Sequence, residues 1–130
     1  MPVDILTCMG KINSRAKGAR YEREIAKWFR EELGQTDARR GQQFSGGTDS
    51  PDVVNCLEGI HWELKHVESL NVYKAMQQAI RDCGQKVPAV IHRRNNVESH
   101  VTVRLQDLVR FAQQVTDSLN SAQSSEDVTG

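Results

Sequence analysis

Asp52, Glu63 and Lys65 are the residues of this 130-residue chain whose types and spacing could do chemistry together. Glu63 and Lys65 stand two apart in the alternating stretch Ile60-His61-Trp62-Glu63-Leu64-Lys65-His66. On a strand that spacing points both side chains to one face and turns Trp62 and Leu64 to the other, toward a core. A charged Glu-x-Lys pair among apolar neighbours is costly to bury without a reason. A divalent metal supplies one. Two carboxylates, with a carbonyl and waters, form the oxygen site that Mg²⁺ or Mn²⁺ prefers. A protonated lysine cannot ligate a metal. The lysine can orient or, when neutral, help deprotonate the attacking water, and as the ammonium it offsets charge in a phosphorane-like transition state. The combination suits metal-assisted phosphodiester hydrolysis.

The surrounding elements must bring these groups together. Asp52-Val-Val-Asn-Cys-Leu reads as a strand, Glu58-Gly59 as a turn, and 60–66 as the second strand of a hairpin. Upstream, Ser14 to about Leu33 is helical: Tyr21, Ile25, Trp28, Phe29 and Leu33 make one apolar stripe, with Trp28 and Phe29 as expected core anchors. Ser14 is the expected N-cap and Gly34 the stop. Residues 35–51 form a long polar loop, with a short strand near Gln42–Phe44. Residues 70–84 return to helical period, with Tyr73, Met76, Ile80 and Cys83 as the apolar face and Gly84 ending it. Val87–His92 is a buried strand, Arg93–Asn96 a turn, and His100–Leu105 an alternating strand. A last helix runs from Leu105 to about Leu119, with Leu105, Leu108, Val109 and Ala112 inward. The order is α-β-β-β-α-β-β-α: an α/β fold with a mixed sheet flanked by helices. The expected organisation is a flexible arm over 1–13, one domain over 14–116 and a disordered polar tail over 117–130.

These residues resemble a known family. Ser50-Pro51-Asp52, a ten-residue spacer and Glu63-x-Lys65 are similar to the PD-(D/E)XK nuclease superfamily, which implies a restriction-endonuclease-like fold. Lys17-Gly18-Ala19-Arg20-Tyr21-Glu22-Arg23-Glu24 resembles the KGxxxER opening of archaeal-type Holliday junction resolvases, and Ser45-Gly46-Gly47 their Ser-Gly segment. Leu70–Ala79 and Val87–Asn95 look like small phage-encoded resolvases. The resemblance covers about residues 14–111. It implies Asp52 and Glu63 as central metal ligands, Lys65 as the catalytic lysine and Glu22 as the helix-borne acid completing the metal site, with Glu24 its competitor. It implies Ser45 and Gln78 as auxiliary groups near the scissile phosphate or the lysine. The activity implied is Mg²⁺- or Mn²⁺-dependent endonucleolytic cleavage of DNA four-way junctions by paired nicks, leaving 5′-phosphates. Two nicks ask for a homodimer. Other structure-specific or duplex nucleases (flap, fork, restriction-like) share these residues, and so does a catalytically silent DNA-binding module of the same fold.

Overall charge departs from the archaeal-type resolvases, which are more basic, while its distribution fits local phosphate contact. The chain is neutral, with 17 basic and 17 acidic residues, but residues 11–40 hold nine Lys and Arg against five Asp and Glu. Arg15, Lys17, Arg20, Arg39, Arg40, Arg93 and Arg94 are the candidates for contacts to the backbone of branched or duplex DNA. Apolar residues make up 38% and no stretch approaches a membrane span, so the expected setting is cytoplasmic, that of a host cell if phage-encoded. Cys8, Cys56 and Cys83 form no CxxC pair, against a disulfide scaffold or a structural zinc site. His61-x-Glu63 lacks the P-C-x-x-C of zinc deaminases, and His61 is expected at the rim.

Overall fold

A computed structural model describes the backbone of residues 3–41 and 51–129 and the side chains of 15–41 and 51–122. Helix α1 (Val3–Leu33) is followed by β1 (Arg39–Arg40), β2 (Val53–Val54), β3 (Ile60–His66), α2 (Val72–Asp82), β4 (Val87–Arg93), β5 (His100–Val103), a 3-10 turn (Leu105–Asp107) and α3 (Leu108–Thr129). The element order is the one expected, and a mixed sheet with flanking helices is what forms. Helix α1 runs through Ser14 rather than starting there, and α3 extends to Thr129. The expected strand at Gln42–Phe44 lies outside the described residues.

Strand order is β3-β4-β5, with β3 and β4 parallel through the α2 crossover and β4 and β5 antiparallel. The expected hairpin between 52–57 and 60–66 is corrected. β2 is two residues long and pairs with β1 instead. Asn55 and Leu57 adopt positive φ, at 61° and 43°, and a strand cannot continue through them.

The strands of the larger sheet divide the side chains by alternation. Ile60, Trp62, Leu64, Val87, Ala89 and Ile91 join Tyr21, Ile25, Ala26 and Phe29 of α1 in the main core, with Phe111 and Val115 of α3 against it. Phe29 and Trp62 rings lie 5.3 Å apart. Val90 instead packs with Ala75, Met76 and Ala79 of α2. Helix α2 is N-capped by Asn71, whose Oδ1 accepts from the Lys74 N–H at 3.1 Å, and Gly84, at φ 56°, ends it.

Three expected inward faces are corrected. Trp28 is 50% exposed and Tyr73 81%, while Leu105, Leu108 and Val109 all face outward. Phe111 and Val115 take the inward place on α3. Its start is set by Asp107, a buried carboxylate that accepts from Arg104 Nε at 2.8 Å and lies 3.8 Å from Arg110 Nη1. Satisfying that charge fixes how the helix is rotated.

Candidate active site

Asp52 is clamped onto β3. Its N–H donates to the Trp62 carbonyl at 2.9 Å, and the Leu64 N–H donates to its carboxylate Oδ2 at 2.8 Å. Its own carbonyl accepts from the Gly41 N–H at 2.9 Å. A side chain at position 41 would collide with the Pro51 carbonyl oxygen, so glycine allows the two segments to approach. The two bonds to Trp62 and Leu64 replace the expected hairpin and still bring Asp52 to β3, the strand of Glu63 and Lys65.

Glu63 is buried, at 4% exposure, and its Oε1 lies 4.0 Å from Lys65 Nζ, which is half-buried. Asp52 feels this arrangement. Burial, and then the neighbouring Glu63 charge, push its carboxyl up to about 7; the Leu64 N–H bond opposes that rise, Glu22 adds to it, and Lys65 offsets only a part. Asp52, Glu63, Lys65 and Glu22 therefore share one electrostatic neighbourhood, though they come from three separate stretches of chain.

The two helix acids diverge. Glu22 turns toward Asp52, and Arg40 of β1 donates from Nε to its Oε2 at 2.8 Å. Glu24 turns the other way and lies 3.7 Å from Arg93 Nη1. The same helical offset of two residues that made them rivals in sequence separates them by about 200° around α1.

His61 is not at the rim. It is 2% exposed, its Nε2 lies 3.7 Å from Glu63 Oε2, and that nitrogen has no hydrogen-bond partner. Asp82, in the last turn of α2, joins them: one donor atom from each of His61, Glu63 and Asp82 lies within 4.8 Å of the others. Sequence reasoning missed Asp82. The available signal was its position four residues after Gln78, which puts the two on one helix face. Gln78 itself is half-buried on α2. Ser45 lies outside the described residues.

The basic candidates differ in exposure and partners. Arg15, Arg20, Arg39 and Arg94 are exposed. Burial holds the His66 imidazole below its usual value, and the charges of Lys17 and Arg93 lower it further, which places both cations beside the end of β3. Arg93 also sits 5.9 Å over the Tyr21 ring, whose hydroxyl shares a 2.7 Å hydrogen bond with the Ser99 hydroxyl. Arg40 and Arg93 are thus each engaged with an acid of α1.

Two carboxylates, Glu63 buried and Asp52 pushed up to about 7 by burial and then by the Glu63 charge, form a donor set that a divalent cation would relieve. The oxygens of Asp52 and Glu63 suit such an ion, Glu22 adds its charge from farther off while paired with Arg40, and Lys65 is left free of ligation.

A family model for phage putative PDDEXK endonucleases matches residues 13–128. No curated protein and no solved structure matches the chain. The match covers most of the chain, including β3 with Glu63 and Lys65 and the segment of Asp52 tied to it, so the protein belongs to the phage putative PDDEXK endonuclease family.

Proposed function

We propose that this endonuclease is a divalent-metal-dependent Holliday junction resolvase, acting as a homodimer on branched DNA in the cytoplasm of the cell where it is made. The single observation that carries the catalytic part is the clamp of Asp52 onto the strand of Glu63 and Lys65. In this reading Asp52 and Glu63, with Glu22, hold Mg²⁺ or Mn²⁺. The ion supplies Lewis acidity at the scissile phosphate. Lys65 orients the attacking water and takes up or offsets its charge as the P–O bond breaks. Glu63 lies 4.0 Å from the ammonium and holds it near the site. Gln78 and Ser45 assist at the phosphate.

Support for the junction as substrate comes from the Lys17–Glu24 opening and from the cations around it. Lys17 and Arg93 flank the end of β3, and Arg15, Arg20, Arg39, Arg40 and Arg94 extend the surface for phosphates beyond a single strand's reach. Support for the homodimer is the exposure of the large apolar side chains Val101, Leu105, Leu108 and Val109, each more than half exposed. Among the described residues, no helix is long and apolar enough to cross a membrane.

The test is cleavage of a synthetic four-way junction, a splayed fork and a linear duplex in Mg²⁺ or Mn²⁺, with Lys65→Ala as control. Paired symmetric nicks confined to the junction, and lost in Lys65→Ala by a factor of about 10² or more, are the expected result. Equal cleavage of all three substrates would remove the junction specificity and leave a general duplex or structure-tolerant nuclease. Junction binding with no cleavage would remove the catalytic assignment.

A further inference from the structure

The two oxygens of Glu63 have different neighbours. Oε1 lies toward Lys65, at 4.0 Å from its Nζ, and Oε2 toward His61, at 3.7 Å from its Nε2. The second oxygen opens into the group that Asp82 closes. The separation of 3.7 Å is too long for a hydrogen bond, so His61 is not satisfied by its carboxylate neighbour. A buried ring nitrogen without a partner costs about 1–3 kcal/mol and asks for an occupant.

We propose that His61, Glu63 and Asp82 bind a transition-metal dication, Zn²⁺ above Mg²⁺, at a site adjoining the cleavage centre. One imidazole and two carboxylates are a ligand set for Zn²⁺, Mn²⁺ or Co²⁺, whereas Mg²⁺ takes oxygen ligands. Bonds of roughly 2.0–2.2 Å hold ligand atoms roughly 3–4 Å apart around such an ion. A spread of 4.8 Å or less reaches that with small side-chain rotations. His61 and Glu63 are on rigid β3 and Asp82 at the end of α2, so the parallel β3–β4 unit and its crossover helix build the site. Glu63 becomes a carboxylate shared between two cation sites. That sharing rests on the nuclease reading above; the His61–Asp82 site does not.

The test uses the full chain carrying Asp52→Asn, which removes the cleavage-site carboxylate and leaves the second set intact. Zn²⁺ is titrated by calorimetry, and Co²⁺ by its visible absorption, with millimolar Mg²⁺ present. One Zn²⁺ per chain is expected, with affinity at least about tenfold lower when either Asp82→Asn or His61→Gln is added. Asp82 is half-buried at a helix end, so Asp82→Asn keeps the fold where His61→Gln fails, and circular dichroism checks both. No Zn²⁺ binding to the Asp52→Asn protein, or binding unchanged by Asp82→Asn in a folded chain, would overturn the proposal. Cleavage by the wild-type protein in Mg²⁺ alone reports on the nuclease reading separately.

Discussion

Replacing Asp52 by asparagine should stabilise the metal-free protein at alkaline pH. In the folded chain Asp52 titrates at about 7, against 3.8 for an unperturbed aspartate. Between those values the native state holds a proton that the unfolded chain has lost, so stability falls as pH rises, by up to about 1.4 kcal/mol per pH unit. The whole interval sets a ceiling of about 4 kcal/mol; Asp52 keeps some solvent contact, and an effective dielectric well above that of a dry interior brings the expectation to about 1–3 kcal/mol. Asparagine keeps the acceptor for the Leu64 N–H through its Oδ1, so the clamp on β3 survives. Urea unfolding in EDTA, followed by circular dichroism at pH 4 and pH 8, should show the variant about equal to wild type at pH 4 and about 1–3 kcal/mol more stable at pH 8. Mg²⁺ should then stabilise the wild type and not the variant, because a ligand that binds only the folded state adds its binding energy to stability. An Asp52→Asn protein less stable than wild type at pH 8, or one with the same pH slope, would refute the argument that Glu63 and burial strain this carboxylate.

The helix acids should separate cleanly: Glu22→Gln should lower metal-dependent cleavage by about tenfold or more, while Glu24→Gln, which loses only an exposed contact to Arg93, should stay within about twofold of wild type in the same assay. Gly41→Ala should cost about 1–3 kcal/mol in urea midpoint, because its methyl meets the Pro51 carbonyl, and should reduce cleavage at temperatures where the protein is still folded by displacing Asp52. Tyr21→Phe should destabilise by about 1 kcal/mol, and the double variant with Ser99→Ala should lose less than the two single changes added together.

Period-two alternation carried much of what could be read in advance. Trp62 and Leu64 face the core and Glu63 and Lys65 share the other face, as any strand of that pattern requires. The stop signals at Gly34 and Gly84 hold for the same local reason, since both sit at positive φ just past a helix. Amphipathic period failed where two stripes competed. At the start of the last helix, Leu105, Leu108 and Val109 formed a plausible inward face, yet Leu105 falls in the preceding 3-10 turn and Phe111 and Val115 took the inward place. Hydrophobicity alone does not rank two such stripes; the buried Asp107 with Arg104 and Arg110 does. Trp28 and Tyr73 erred likewise, being apolar residues at the margin of a stripe whose centre was already filled by Phe29 and by Ala75, Met76 and Ala79.

Local groups were legible in the sequence: which residues share a strand face and where helices stop. Those follow from backbone geometry, which acts over a few residues. Only the tertiary structure decided what depends on contacts between distant segments. Pairing of β3 with β4 instead of with the segment before it, the turning of Glu22 toward Asp52 while Arg93 draws Glu24 away, and the meeting of His61 with Asp82 all join residues far apart in the chain. No periodicity encodes such meetings, because they are chosen by which arrangement buries the apolar surface while leaving the buried charges the most company.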